Sequence, residues 1–406
     1  MLAEAFSRKS AGSYDLIREL LGRRASATGK NVTVSTSIEV AAVFACMRVI
    51  GEGIAQVPLK MMRESADGKT RLPAKEHPLY TILGTKPNEW QTSFEYREMI
   101  AMHAALCGNA YSFINRSVRG GEIYELIPFT PGSVAVKRAD DLTLTYEVTA
   151  SNGSKQVFPA ESIWHLKGPS WNGFQGLEVV AQAREAIGLS MAIEESQARM
   201  QKNGVRASGT YSVEGTLNAD QYKALKGWIE ENHAGPGNTG APMVMDRAAK
   251  WLPHTMTGVD AQTLETRLFQ ISEICRFMRV SPIMIYGDEK LSTYAGSSMG
   301  FLNHVIHTLA PWYQRIEQSI DANLLTEEER KSGLYANFVE EGLLRGSIVE
   351  TKDVLLAYTN GGLMTTNEAR HKLELNPDLD PASDKLRVPA NIVGTVPTAP
   401  PQEVKP

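Results

Sequence analysis

The clearest catalytic pattern in this 406-residue sequence is the segment 296–300, Gly-Ser-Ser-Met-Gly, which satisfies Gly-x-Ser-x-Gly. In α/β-hydrolases this pattern places a nucleophilic serine on a sharp turn between a strand and a helix. Residues 290–295 before it are polar and unlike a strand, and the chain lacks the alternating strands and helices of a doubly wound sheet. A serine hydrolase that uses Ser298 is therefore the disfavoured alternative. Small residues in a flexible loop that leads into a helix are the better interpretation.

Other patterns that could support chemistry are incomplete. His304 and His307 stand three residues apart, as two metal ligands on a helix could, but the sequence offers no third ligand nearby. Gly-Lys-Thr at 68–70 matches the second half of a phosphate-binding loop, whereas Arg63 stands where the first glycine is required. The acidic residues show no close pairing for general acid and base catalysis. The sequence therefore predicts no catalytic residue, no metal and no cofactor.

Composition narrows the class of protein. Hydrophobic residues make up 42% and charged residues 22%, as in an ordinary soluble globular protein, and the length has room for two or three domains. The formal net charge of −4 argues against a tight nucleic-acid binder, which neutralises many phosphates with a basic face. The longest apolar run, at 40–50, is interrupted by Arg48 and is far shorter than the roughly 20 residues that a bilayer demands. We therefore expect no membrane segment.

The N-terminus and the cysteines indicate a cytosolic environment. Glu4, Arg8 and Lys9 fall where a signal peptide needs an apolar stretch, so export is not expected. The odd number of cysteines argues for buried thiols in a reducing compartment. These cysteines are Cys46, Cys107 and Cys275.

The first part of the chain predicts two amphipathic helices followed by an antiparallel sheet. A capping box at 36–39, Thr-Ser-Ile-Glu, begins the first helix, which ends before Pro58. A second capping box at 92–95 begins the next helix, which ends at Gly108, a plausible C-cap glycine. Short alternating segments at 110–168, joined by a Gly-Gly hairpin turn, then indicate strands. Together these elements predict an α+β domain.

Three long helices are predicted after the strands, at 177–202, 260–279 and 299–324. Pro311 in the middle of the third predicts a kink. Between the first two, a block of about fifty residues with a helix capped by Asn218 is typical of a small α/β domain. The second helix carries a heptad seam, which suits packing against neighbouring helices better than burial under a globule. The seam residues are Leu264, Leu268, Ile271, Cys275 and Met278.

The remaining segments are a loop, a group of shorter helices and a tail. The segment 288–298 is polar and rich in small residues, which predicts an exposed loop, because a long buried loop could not satisfy its backbone groups. Beyond residue 338 the pattern indicates shorter helices, one of them opened by a capping box at 365–368. The last residues, 396–406, contain four prolines and predict a disordered tail.

A series of short motifs follows a fixed order from about residue 36 to residue 394. The motifs are the helix Ser37 to Leu59 ending in Ala-Gln-Val-Pro-Leu; His77, Pro78 and Leu79 with Pro87 and Asn88; Gly108, Asn109, Ala110 and Tyr111; Asn203 and Gly204; Asp260, Gln262, Leu264, Glu265 and Arg267; Val280, Ser281 and Pro282; Leu309, Ala310 and Pro311; and Asn367, Glu368, Ala369 and Arg370. Each motif alone is weak. Their order and spacing together resemble the portal protein family of tailed bacteriophages, in its lambdoid-type, long-tailed branch. Ser281 is a departure, because the family commonly has a second proline there.

This resemblance implies an α+β portal fold. Portal subunits are similar in having an α+β wing, a two-helix stem, a small α/β clip, a long kinked helix and a helical crown. The segments implied here are an N-terminal arm at 1–29, the wing at 30–176 and 299–342, stem helices at 177–203 and 260–280, the clip at 204–259, a tunnel loop at 281–298, the crown at 343–395 and the tail at 396–406.

The resemblance also implies a non-enzymatic subunit of a closed ring of about twelve copies at one capsid vertex. The implied partners are double-stranded DNA, which the channel contacts transiently without reading its sequence, the terminase large subunit, a head-tail connector or adaptor protein, and the major capsid protein, with no membrane. The implied locations are the virion and, during assembly, the host cytoplasm. Another capsid or tail-connector protein that DNA does not traverse is the alternative.

Two groups of residues are expected to meet these partners. The clip is expected to dock the packaging motor and later the head-completion protein, and the tunnel loop is expected to touch DNA. The predicted clip contacts are Tyr222, Trp228, Gly235 and Gly240. The predicted DNA contacts are Lys290, Ser292, Thr293 and Tyr294.

Overall fold

The computed structural model describes residues 25–65, 71–117, 121–203, 209–213, 218–224, 227, 249–253, 259–285, 294–339, 348–373 and 375–387. These residues form helices and antiparallel strands, which confirms the predicted α+β class. The chain divides into two compact units, Met1–Phe338 and Val339–Pro406. Within the described ranges, every helix is too short or too polar to cross a bilayer.

The first unit contains most of the regular structure. Its helices are α1 Val34–Ile38, α2 Ala41–Ala55, α3 Pro78–Gly84, α4 Ser93–Cys107, α5 Val179–Gln182, α6 Arg184–Asn203, α7 Val259–Met278, α8 Tyr294–His304, α9 Ala310–Asn323 and α10 Glu327–Lys331. Its strands are β1 Leu59–Glu64, β2 Arg71–Pro73, β3 Asn109–Arg116, β4 Ile123–Pro128, β5 Val134–Arg138, β6 Leu144–Thr149, β7 Lys155–Pro159, β8 Ile163–Lys167, β9 Gly209–Val213, β10 Ala249–Pro253 and β11 Leu334–Phe338.

The first helical segment begins earlier than predicted. Thr33 caps α1, where its hydroxyl accepts from the backbone N–H of Thr36 and its own N–H donates to the Thr36 hydroxyl at 2.8 Å. The predicted capping box of Thr36 with Glu39 is therefore wrong, because Thr36 already serves as the third residue of this earlier helix. Helix α2 follows and, as predicted, ends before Pro58. It buries the apolar residues Val43, Met47, Ile50 and Ile54, which recur along one face of the helix.

Helix α4 matches its predicted ends. The Thr92 N–H donates to the Glu95 carboxylate at 2.8 Å and the Glu95 N–H donates to the Thr92 hydroxyl at 3.3 Å, which completes the capping box. Gly108 at the other end adopts the left-handed conformation with φ 71°. Two strongly local signals therefore defined this helix correctly.

The described strands pair antiparallel in four small sheets, in the orders β11-β1-β2, β4-β3-β8, β5-β6-β7 and β9-β10. Strands β3 to β8 confirm the antiparallel region predicted at 110–168, and Gly121 with φ 70° lies in the β3–β4 turn. The pairing of β1 with β11 sets Leu59 opposite Phe338, near the end of the first unit. A buried cluster of Tyr111, Tyr146 and Ile163 forms a core beside β5–β7.

The long helix around Pro311 contains one π-helical turn, Val305–Leu309, between α8 and α9. The backbone N–H of Ala310 donates to the carbonyl of Val305, five residues earlier. Pro311 has no N–H to donate and its ring crowds the carbonyl four residues before it, so a wider turn accommodates the proline. The predicted irregularity therefore takes the form of a π turn directly before Pro311.

The helix predicted at 177–202 is not continuous. It begins at Val179 and is interrupted at Ala183, which separates α5 from α6. Helix α7 covers most of the range predicted at 260–279. In the block between them, β9 pairs with β10 and residues 219–224 are helical, with the Asn218 side chain accepting from the Gln221 N–H at 2.8 Å. This confirms the expected cap.

The second unit contains α11 Ile348–Asn360 and α12 Thr366–Lys372. Thr365 and Glu368 form the predicted capping box at the start of α12. Asn367 then fixes the chain that follows, because its Nδ2 donates to the Asp378 carbonyl at 3.0 Å and its Oδ1 accepts from the Asp378 N–H at 2.7 Å.

Candidate functional site

Asn109 joins the end of α4, strand β3 and the segment that leads into α5. Its Nδ2 donates to the carbonyl oxygens of Cys107 at 3.1 Å and Gly176 at 3.0 Å. Its Oδ1 accepts from the Gly176 N–H at 2.8 Å. One buried side chain therefore satisfies both backbone groups of Gly176, and the motif Gly-Asn-Ala-Tyr at 108–111 has a structural reason.

Backbone approaches backbone closely at the same junction. A Cβ on Gly108 would lie 2.1 Å from the carbonyl oxygen of Leu177, and the φ of 71° also disfavours a side chain. The N–H of Gly168, at the end of β8, donates to the Gly108 carbonyl at 2.7 Å. The junction therefore holds the start of the α5–α6 segment in a fixed position relative to the sheet.

His165 extends the Asn109 network into the sheet core. Its Nε2 donates to Asn109 Oδ1 at 2.9 Å, because that oxygen can only accept, and its Nδ1 accepts from the Tyr146 hydroxyl at 3.2 Å. Burial, together with Lys167 nearby, lowers the pKa of His165 to about 3. The imidazole is therefore neutral at physiological pH, as this hydrogen-bond pattern requires.

Helices α6 and α7 are joined by polar contacts. Arg267 on α7 donates from Nη1 to Gln197 Oε1 at 2.9 Å and lies 4.0 Å from the Glu194 carboxylate on α6. On α6, the N–H of Ala27 donates to Glu185 at 2.9 Å and the Thr28 hydroxyl donates to the Gly188 carbonyl. The two helices and the N-terminal segment thus form one unit.

The predicted heptad seam on α7 is divided between two environments. Leu268 is 45% exposed and Ile271 is half-buried, whereas Cys275 and Met278 are buried inside the first unit. Cys275 contacts Cys46 of α2. The prediction that the seam avoids burial under a globule is therefore wrong for its C-terminal half, because that half of α7 packs against α2. The side chain of Leu264 lies outside the described residues.

Large apolar side chains are exposed on α7, on α8 and on the π turn. On α7 they are Leu268, Phe269 and Phe277, and on α8 and the π turn they are Met299, Phe301, Leu302 and Ile306. We call these seven residues the exposed apolar set. Exposed large apolar side chains mark a site of contact with another protein where they share one contiguous surface, whereas single exposed ones are normal.

The predicted partner-binding residues fall only partly within the described chain. Tyr222 lies on the helical segment 219–224 and is exposed. Tyr294 is the first residue of α8, so the predicted loop at 288–298 is wrong for residues 294–298, which are helical. Residues that lie outside the described chain are Trp228, Gly235, Gly240, Lys290, Ser292 and Thr293.

The helical start of α8 also removes the hydrolase alternative. The Gly-x-Ser-x-Gly segment at 296–300 lies inside α8, whereas a nucleophile elbow requires a turn between a strand and a helix. His304 is buried and neither ring nitrogen has a partner among the described residues, whereas His307 is exposed. The described residues contain no group of three or more side chains that could hold a metal.

Sequence reasoning missed two arginines, Arg279 and Arg315, which the fold gathers with His307 at one cavity. Arg279 directly follows α7 in a left-handed conformation with φ 55°, a position that usually belongs to glycine. An arginine in place of the expected C-cap glycine was the sequence signal for this site.

The antiparallel sheets, the paired helices and the long helix with its π turn together give a fold similar to that of a solved phage portal protein. The family model for the phage portal protein matches residues 41–374. The chain therefore belongs to the phage portal protein family.

Relatives and solved structures agree with this family. The portal protein of Enterobacteria phage HK97 is 27% identical over 347 residues, which cover 84% of this chain and 80% of that protein. The probable portal protein of Streptomyces phage phiC31 is 26% identical over 379 residues, covering 90% and 81%. A chain in the neck of a native GTA particle, computed with C12 symmetry, has a similar fold, with TM-score 0.56 and 22% identity, covering 85% of this chain and 94% of that one. The crystal structure of an HK97-family phage portal protein from Corynebacterium diphtheriae has TM-score 0.55 and 16% identity, covering 78% and 98%.

Proposed function

We propose that this chain forms a closed ring of about twelve subunits at one capsid vertex, and that double-stranded DNA passes through the ring during packaging and ejection. The observation that carries the proposal is membership of the portal family over residues 41–374. The similar fold in a particle neck with C12 symmetry supports a ring, since a heterologous interface that closes on itself produces one.

The surface of the subunit supports assembly with further copies. The exposed apolar set lies on long helices, where lateral contact with an adjacent copy would remove the side chains from water. Burial of this kind would favour association, because apolar surface removed from water is worth roughly 25 cal/mol per Å² before the costs of binding. We assign α6 and α7 to the stem, and the block between them to the clip.

We further propose that the ring is a non-enzymatic component of the virion, assembled in the host cytoplasm. The clip, with Tyr222 exposed on its surface, would dock the terminase large subunit and later the head-tail connector, and the outer surface would meet the major capsid protein. The loop that contains Lys290 would touch DNA. Asp288 and Glu289 beside that lysine would limit the attraction, because a ring that engaged many phosphates at once would grip DNA rather than guide it.

The ring is tested by mass photometry and negative-stain imaging of the purified protein. We expect particles of about twelve times the 44.6 kDa subunit mass, with a stem and clip in profile. Phe269→Asp places a charge in the exposed apolar set and should shift the population to subunits. Tyr124→Asp is the matched control, since Tyr124 is an exposed aromatic residue on β4, far along the chain from that set. Subunits alone at every protein concentration, with no ring in infected-cell lysates, would contradict the proposal.

A further inference from the structure

A cavity of about 90 Å³ lies where the end of α7, the π turn and the first turn of α9 meet. Three basic side chains, Arg279, His307 and Arg315, line it together with the aromatic side chains of Phe277 and Trp312. Among the described residues, no aspartate or glutamate lines this cavity. Its chemistry therefore favours an anionic group with an apolar surround.

Arg315 supplies a positive charge that the described chain does not neutralise. It is half-buried, it lies with its guanidinium carbon 5.5 Å from the centre of the Trp312 ring, and its Nη1 donates to the carbonyls of Lys167 at 3.2 Å and Gly168 at 3.1 Å. Carbonyl oxygens orient a guanidinium without cancelling its charge. The ion pairs among the described residues include none of these three basic groups, so they are open to pairing with a carboxylate from outside the subunit.

The backbone of Arg279 is held in a conformation that arginine disfavours. Its φ of 55° is left-handed, and the Thr308 hydroxyl donates to its carbonyl at 2.6 Å. Glycine would adopt this conformation without cost and would cap α7 equally well. Arginine therefore carries a backbone cost at this position that glycine would not, and non-glycine residues in this region cluster at functional sites.

The edge of the cavity identifies the kind of partner. Phe277, which lines the cavity, and Ile306, next to His307 on the π turn, are both exposed members of the apolar set. A free anion or a DNA phosphate would leave these apolar groups in water, whereas a protein surface that carries an acidic side chain would cover them. We infer that the cavity receives a carboxylate side chain of the adjacent subunit in the ring. This inference rests on the proposed ring and names one of its contacts.

The decisive variant is Arg279→Gly, which keeps the left-handed backbone and removes the charge. We expect the thermal midpoint of the subunit to stay the same or to rise, while the protein concentration at half-assembly, measured by mass photometry, rises about tenfold. Arg279→Glu combined with His307→Glu should raise it further. Arg116→Glu, an exposed arginine on β3, is the matched control and should change the half-assembly concentration less than twofold. Raising sodium chloride to 0.5 M should weaken assembly of the unaltered protein more than that of Arg279→Gly. Salt screens the charge pair between subunits, which the unaltered protein has and the variant lacks.

Three results separate the possibilities. Assembly of both Arg279 variants at the concentration of the unaltered protein would overturn the inference while leaving the ring intact. If inorganic phosphate raised the thermal midpoint of the unaltered protein but not that of Arg279→Gly, and assembly were the same in both, the cavity would bind free anions and the inference would again be wrong. Absence of any ring from the unaltered protein would instead contradict the proposed function itself.

Discussion

The Sγ atoms of Cys46 and Cys275 lie 4.0 Å apart in the interior of the first unit, with both side chains buried. Cys46 belongs to α2 and Cys275 to α7, so this contact holds the C-terminal end of α7 against α2. The contact with Cys275, together with burial, raises the pKa of the Cys46 thiol. The expectation of buried thiols is confirmed for these two cysteines, and Cys107 is half-buried.

The Cys46–Cys275 contact predicts slow alkylation of the folded protein. At pH 7.5, N-ethylmaleimide should leave Cys46 and Cys275 unmodified over one hour, because both side chains are buried and the reagent cannot reach them. The same treatment in 6 M guanidinium chloride should modify all three cysteines. Peptide mass spectrometry reads both results, and adducts on both Cys46 and Cys275 in the folded protein would contradict the buried contact.

Removal of the Asn109 side chain should destabilise the first unit. Asn109→Ala leaves the backbone groups of Gly176 and the Nε2 of His165 without their partner, and we expect the free energy of unfolding to fall by about 2–4 kcal/mol. Urea unfolding followed by tryptophan fluorescence measures the change. Asn115→Ala is the control, since Asn115 binds Glu125 near the surface at 2.8 Å, and it should lower the free energy of unfolding by less than about 1 kcal/mol.

Burial of neutral His165 predicts acid sensitivity. The unfolded chain binds a proton at this residue below about pH 6.5, whereas the folded pKa is about 3, so the free energy of unfolding falls as the pH drops between these values. The contribution is up to about 1.4 kcal/mol per pH unit. His165→Gln should flatten the dependence of stability on pH between 4.5 and 6.5, and His371→Gln, at an exposed position, should leave it unchanged. Equal slopes for the two variants would contradict the assignment.

Lys290 lies outside the described residues and stays a predicted DNA contact. Lys290→Ala and Lys290→Glu should reduce the length of genome packaged and retained in heads, with the larger loss for glutamate because it repels phosphate. Lys75→Glu, at an exposed position, is a suitable control. Unchanged packaging and retention in well-formed particles would make Lys290 an ordinary surface lysine.

The clip loop offers a separate test of motor docking. Deletion of 235–240 should leave rings intact by negative-stain imaging while reducing DNA packaging, because the loop is predicted to contact the motor rather than the adjacent subunit. A variant that forms rings and packages DNA normally would remove this loop from the docking surface. A variant that forms no ring would instead show that the loop is needed for ring assembly.

The sequence predictions that the structure confirms rest on patterns between residues close together in the chain. The capping box at Thr92 and the left-handed Gly108 depend on residues within one helical turn, and both are present. The error at Thr36 arose because Thr33 offers an overlapping capping box one turn earlier. In such overlaps the choice depends on where the preceding chain packs, which a local pattern does not contain.

Long-range packing accounts for what the sequence did not predict. Glycine and serine favour a loop at 294–298, but α8 extends through these residues. Further along α8, a Cβ on Gly300 would lie 3.4 Å from the side chain of Ile283, so this helix packs closely against residues that precede it in the chain. The network of Asn109 with His165 and the basic cavity beside Arg279 join residues far apart along the chain. Their spacing in sequence therefore carries no periodic signal.

The pairing of β1 with β11 has a consequence for synthesis on the ribosome. Leu59 emerges early, yet Phe338 opposite it is translated on the order of tens of seconds later, at about 5–20 residues per second. During that interval one edge of β1 has no strand to pair with, and such an edge is a template for aggregation. The sheet is therefore complete only after β11 has been translated. The first unit cannot finish folding until nearly all of its residues have been made.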